Sequence, residues 1–176
     1  SRFVTSIGGT DLALNTDNSI GMESVWSTYA TQPSQGVGSG GGPSARWSRP
    51  GFQTSPGIGP ELQPGKQTRL APDLAAMASF TPGLSVYDSG DSGWGVGGGT
   101  SAATPLTAAM VALALQQEHA AGRPNLGSLP PLLYELGRGL GYQAIYSDVT
   151  EGTSSRKPKS VAGQKPSGGQ AQFAYD

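Results

Sequence analysis

The chain has 176 residues, 11 basic against 12 acidic side chains for a net charge of −1, and no cysteine. That length holds one domain or a large part of one. Disulfide and thiol chemistry are excluded, and a balanced charge with no basic run gives no electrostatic case for nucleic acid. Only 13% of residues are charged, about half the usual share; so few titrating groups limit the charge change when carboxylates protonate, which suits an acidic milieu.

In chain order, the apolar and alternating segments predict short buried strands at 4–7, 22–26, 74–78, 84–87 and 95–97. The 28 glycines and 14 prolines cluster at 32–64 and 153–169, which read as long loops. The second of these carries Arg156, Lys157, Lys159 and Lys165 with few apolar residues. Between the strands at 84–87 and 95–97, Asp88-Ser89-Gly90-Asp91-Ser92-Gly93 has turn chemistry and predicts a hairpin. Its Gly-Asp-Ser-Gly therefore reads as a turn with solvated Asp88 and Asp91, not as a nucleophile.

A helix is predicted over 104–121, with Thr104 as N-cap, Pro105 as its first residue and Gly122 as its stop. Its body is apolar nearly all round, which predicts burial. The apolar run 106–115 is too short to span a bilayer. A second helix is predicted over 129–136, with Pro130-Pro131 in its first turn and Gly137 as stop. Strands on a buried sheet covered by helices predict an α/β layer architecture.

The chemistry points to Gly97-Gly98-Gly99-Thr100-Ser101-Ala102-Ala103-Thr104-Pro105. Glycines let backbone and substrate approach closely. Ser101 falls just ahead of the predicted helix start, where unpaired N–H groups favour negative charge, as an acyl-transfer serine requires. The single histidine, His119, lies 18 residues further on, roughly 25 Å along a helix. A general base must come within about 3 Å of the hydroxyl or one water beyond, so neither His119 nor Glu118 can serve. His119 reads instead as a C-terminal helix residue favoured by the dipole.

The Gly-Gly-Thr-Ser-Ala-Ala-Thr-Pro motif resembles the nucleophile motif of the sedolisin family, the serine-carboxyl peptidases related to subtilisins. Phe3-Val4-Thr5-Ser6-Ile7-Gly8-Gly9-Thr10, Gly38-Ser39-Gly40-Gly41-Gly42-Pro43-Ser44, Arg49-Pro50-Gly51-Phe52-Gln53 and Arg69-Leu70-Ala71-Pro72-Asp73 are similar to other family segments in the same order. The resemblance implies a subtilisin-like α/β fold, a mostly parallel sheet flanked by helices. It implies that 1–176 is the C-terminal part of one peptidase domain: nucleophile loop 97–105, nucleophile helix 104–121 and calcium-site region 146–176. Ser101 would be the catalytic residue of a serine-type acid peptidase, endopeptidase or tripeptidyl-type, acting on polypeptide. Its activating glutamate and aspartate, and the oxyanion aspartate, would lie in the N-terminal part of the same domain, outside this chain. The fragment alone is then expected to be inactive. Asp73 reads as a structural carboxylate near the cleft.

The resemblance further implies one Ca²⁺, held by the side chains of Asp148 and Asp176 and the carbonyls of Val149, Gln172 and Ala174; the family has glycine at the last two positions. It implies secretion into an acidic, extracellular medium, with no nucleic-acid or membrane partner. No signal-peptide pattern opens the chain, as expected of a mature or trimmed fragment. Two alternatives stay open: a subtilisin-type Ser-His-Asp peptidase whose other residues lie upstream, and a catalytically inactive peptidase-like binding module.

Overall fold

The computed structural model describes residues 3–29, 31–32, 35–54, 67–91, 93–138 and 142–154. Strand β1 (Ile7–Leu14) is the hub of a three-stranded sheet. It pairs antiparallel with β2 (Ile20–Val25) and parallel with β5 (Leu74–Met77), so the sheet order is β2-β1-β5. β1 starts at Ile7 rather than at residue 4, and is twice as long as expected. Its first half pairs with β5 and its second half continues into the hairpin with β2. The chain between them turns at Asn18, which adopts a left-handed φ of 64°.

The segment 32–64, expected to be loop, instead contains β3 (Gly42–Ser48) and a 3₁₀ turn (Gly51–Gln53). β3 pairs antiparallel with β4 (Thr68–Ala71). Glycine and proline content hid these elements because the pairing is irregular: the register shifts between Pro43 and Ser48. β6 (Leu84–Asp88) and β7 (Gly93–Gly97) form the expected hairpin. In its turn Asp88 Oδ1 accepts the Gly90 N–H at 2.7 Å, and both Asp88 and Asp91 are exposed.

Helix α1 spans Thr100–Ala120. Its start corrects the expectation: Gly99, not Thr104, is the N-cap, and Pro105 lies inside the helix. Gly99 holds a φ of 76°, a left-handed turn that glycine makes without a Cβ penalty, so the chain bends into the helix five residues earlier. Pro105 has no N–H to offer the Ser101 carbonyl four residues back. The Thr104 hydroxyl bonds the Thr100 carbonyl at 2.8 Å instead of capping. At the far end Gly122, at φ 69°, donates to the His119 carbonyl at 3.0 Å and stops the helix as expected.

The expected burial of α1 is also corrected. It packs on β1 and β5 through Ala102, Ala103 and Thr107, while Met110 is 53% and Leu113 62% exposed. Those small side chains let the helix sit close on the sheet, but only along one stripe. The core there is Trp26, Ala78 and Ala103, with Ile7 and Ala76 against them. Ala75, pointing to the other face of β5, lines a cavity of about 330 Å³ bounded by α2 (Leu129–Leu136) and α3 (Tyr142–Ile145). α2 has the predicted bounds, with Ser128 and Gly137 at its two caps.

Candidate active site

The two ends of β5 carry different chemistry. At its entry Asp73 has a fully buried side chain that pairs with the equally buried Arg69 guanidinium. Asp73 Oδ2 also accepts the Ser6 N–H at 2.9 Å, and Oδ1 accepts the Tyr134 hydroxyl at 3.1 Å. Gln53 completes the group. Its Nε2 donates to the Tyr134 hydroxyl at 2.6 Å and to the Leu70 carbonyl at 3.0 Å, while its Oε1 accepts the Leu70 N–H at 2.9 Å. Burial, more than the neighbouring carboxylate, pushes the Tyr134 phenol up to about 12. Both oxygens of the Asp73 carboxylate are bonded within the protein, as a structural carboxylate needs, while the buried Arg69 Nε has no partner among the described residues.

At its exit the backbone is stitched to the serine loop: the Gly99 N–H donates to the Ala78 carbonyl at 2.6 Å. Five residues of strand separate Asp73 from Ala78, about 16 Å. Asp73 is therefore held as a structural carboxylate, and it lines the cavity beside α2 and α3. Ser101 sits in the first turn of α1, not ahead of it, and is exposed. Ala102 and Ala103 both donate to the Gly99 carbonyl, at 2.9 and 3.2 Å. The N–H groups of Thr100 and Ser101 precede these bonds and have no backbone acceptor among the described residues, as a helix start leaves its first donors. Small neighbours, with Gly98 and Gly99 on one side and buried Ala102 and Ala103 on the other, leave the hydroxyl accessible.

No carboxylate or imidazole among the described residues bonds Ser101. His119 and Glu118 lie on the same unbroken helix, about 27 Å and 26 Å away along its axis. His119 Nε2 meets Asn125 Oδ1 at 2.6 Å, and Glu118 pairs with Arg123. Ser39, from the Ser-Gly-Gly-Gly loop, is buried and takes the Gly9 N–H on its Oγ at 3.0 Å. It ties that loop to β1.

Of the residues expected to hold calcium, Gln172, Ala174 and Asp176 lie outside the described residues. Asp148 and Val149 border the cavity on the α2–α3 side. Asp148 is exposed and accepts the Tyr142 hydroxyl on Oδ1; burial, then Asp148, pushes that phenol up to about 12. The Glu151 carbonyl accepts the Val25 N–H at 2.8 Å, fixing this stretch to the sheet. Among the described residues no three metal-ligating side chains converge. A carboxylate beside a main-chain carbonyl nevertheless suits a hard, oxygen-seeking ion.

Two features escaped the sequence reading. Phe80 lies against the serine loop, and Gln53 with Tyr134 closes the Asp73 network. An aromatic after a strand and a glutamine in a Pro-Gly-rich stretch carry no periodic signal.

A profile of the subtilase family matches residues 7–127. The chain is 34% identical to kumamolisin of Bacillus sp. strain MN-32 over 155 residues, 88% of this chain and 25% of that protein. It is 34% identical to tripeptidyl-peptidase SED2 of Arthroderma otae, over 86% of this chain and 22% of that one. Among solved structures it is similar to Pseudomonas sedolisin, a serine-carboxyl proteinase, complexed with two molecules of pseudo-iodotyrostatin. The TM-score is 0.68 at 25% identity, over 86% of this chain and 37% of the other. The chain belongs to the subtilase family, with a subtilisin-like α/β fold, and within that family its likeness is to the sedolisins. It spans about a quarter of the length of the curated relatives it matches. No helix among the described residues is long and apolar enough to cross a membrane.

Proposed function

We propose that this chain carries the nucleophile of a serine-type acid peptidase, endopeptidase or tripeptidyl-type, with Ser101 as the attacking residue. The observation that carries this reading is an exposed hydroxyl in the first turn of α1, beside glycine backbone and free helix-start N–H groups. Ser101 Oγ attacks the scissile carbonyl and passes its proton to a glutamate, backed by an aspartate, from polypeptide outside these 176 residues. The N–H groups at the helix start favour the negative oxygen that develops. The amine departs with a proton, and water then releases the acyl group from Ser101. A carboxylate base works when ionised, above its ordinary pKa near 4, so the reading carries an acidic optimum.

The N-terminal part of the same domain is the proposed partner of this chain, since α1 exposes Met110 and Leu113 and the relatives are far longer. Secretion into an acidic medium accords with the small charged fraction. Calcium fits as a structural ion, with Asp148 and Val149 on one side and Gln172, Ala174 and Asp176 on the other. It would tie residue 148 to the last stretch of the sequence. Peptide hydrolysis near pH 4 by the protein containing the whole domain, against its Ser101→Ala variant, is the test. Equal rates would end the nucleophile assignment, and an optimum at neutral pH would favour an imidazole base. The 176-residue chain alone should hydrolyse nothing.

A further inference from the structure

Phe80 is a large aromatic side chain placed directly on the serine loop. A β-carbon added to Gly98 would fall 2.8 Å from the Phe80 ring, so the ring lies flat across that glycine, three residues before Ser101. Its other support is Trp26, with ring centroids 6.3 Å apart and planes at 52°. Trp26 is only 6% exposed, whereas Phe80 remains 51% exposed. Trp26 also reaches toward the loop: its Cη2 lies 3.8 Å from the β-carbon position of Gly99.

The backbone around the ring is held on both sides. Ser79 is buried, and its hydroxyl accepts the Thr81 N–H at 3.1 Å and donates to the Thr81 carbonyl at 2.9 Å. One residue earlier, Ala78 accepts the Gly99 N–H. An apolar plate on an anchored backbone thus lies on the serine loop at Gly98, with about half of its surface open. A half-exposed phenylalanine does nothing for solubility, and its fixed backbone means little ordering cost when a partner covers it.

We propose that Phe80 is a specificity-determining residue: its open surface takes the apolar side chain of a substrate residue next to the scissile bond. The proposal rests on the peptidase reading of Ser101. A chain whose carbonyl carbon meets Ser101 Oγ must run past the surfaces adjoining Gly98, and among the described residues Phe80 is the aromatic ring in contact with that glycine. Gly98 itself is required there, because any side chain would displace the ring.

The test uses the peptidase containing the whole domain and a peptide series with Gly, Ala, Leu or Phe on either side of the cleaved bond. Wild type should favour Leu and Phe by kcat/KM. Phe80→Ala should cut that preference about tenfold while leaving the Gly peptide unchanged, and Phe80→Leu should keep most of it. An equal loss on every peptide would make Phe80 a mere support for the loop. A lowered melting temperature with preference intact would mean that the rest of the domain covers the ring. Either result overturns the proposal. Calorimetric binding of the same peptides to Ser101→Ala separates it from the reading beneath it. If wild type cleaves nothing, the peptidase reading fails, while Phe80-dependent binding of apolar peptides would still support the plate and its loss would reject it.

Discussion

The entry and exit of β5 use polar groups in opposite ways. At the entry a carboxylate, a guanidinium and an amide are buried, and with a half-buried phenol they bond to one another and to backbone. At the exit a hydroxyl is left in the open with backbone donors nearby and no side-chain partner among the described residues. Residue type does not distinguish structural from chemical polar groups here. Satisfaction does: the group whose bonds are already made holds the fold, and the one whose bonds are unmade is available for a substrate.

Exchanging single residues at either end should break this contrast in different observables. The largest effect belongs to Ser101→Ala, which should lower kcat by about 10⁴-fold or more in the intact peptidase. It should leave the melting temperature in place, because an exposed hydroxyl is lost; a large drop would recast Ser101 as structural. Asp73→Ala should do the reverse. It strands the buried Arg69 charge, and loss of one partner of a buried pair costs about 3–5 kcal/mol, read by denaturant unfolding. Asp73→Leu combined with Arg69→Met should recover most of that loss. Additive losses would show that the pair stabilises beyond mutual neutralisation.

A smaller effect is expected at alkaline pH. The Tyr134 phenol is raised from an ordinary value of 10 to about 12, chiefly by burial. A raised folded-state value contributes stability that is complete below pH 10 and lost as pH climbs toward 12. Tyr134→Phe should flatten that part of the stability curve, and an unchanged slope would assign it to Tyr142, also raised to about 12, and to Tyr146, raised by burial. The smallest effect concerns Glu118. Its carboxyl is held below the usual range by the Arg123 hydrogen bond, but at a partly exposed surface site. Glu118→Gln should leave both stability and activity unchanged, since solvent screens such pairs.

How far the sequence revealed this arrangement differs by element. The hairpin β6–β7 and α2 were legible, because turn residues, paired prolines and stop glycines act locally. The start of α1 was not. Thr104-Pro105 is a strong local start signal, yet Gly99 turns the chain earlier and the packing of Ala102 and Ala103 on the sheet outweighs an interior proline. Burial of α1 was misjudged because composition reports that a helix has apolar faces, not which of them this stretch of chain covers. β3 and β4 went unseen, since their pairing is irregular and Gly42-Pro43 at the start of β3 mimics loop. At the candidate site, Ser101 is proposed from its motif, whereas Phe80 becomes visible only when two loops meet in space.

Gln53 has one more consequence. By giving to and taking from Leu70 it behaves as a lone peptide unit laid along the outer margin of β4. A bare margin invites a foreign segment to add itself and seed self-association. One carboxamide, anchored from a 3₁₀ turn, occupies the rung where such templating would begin. A carboxylate at 53 could accept from that rung but not donate to it, and so would close only half of the gap.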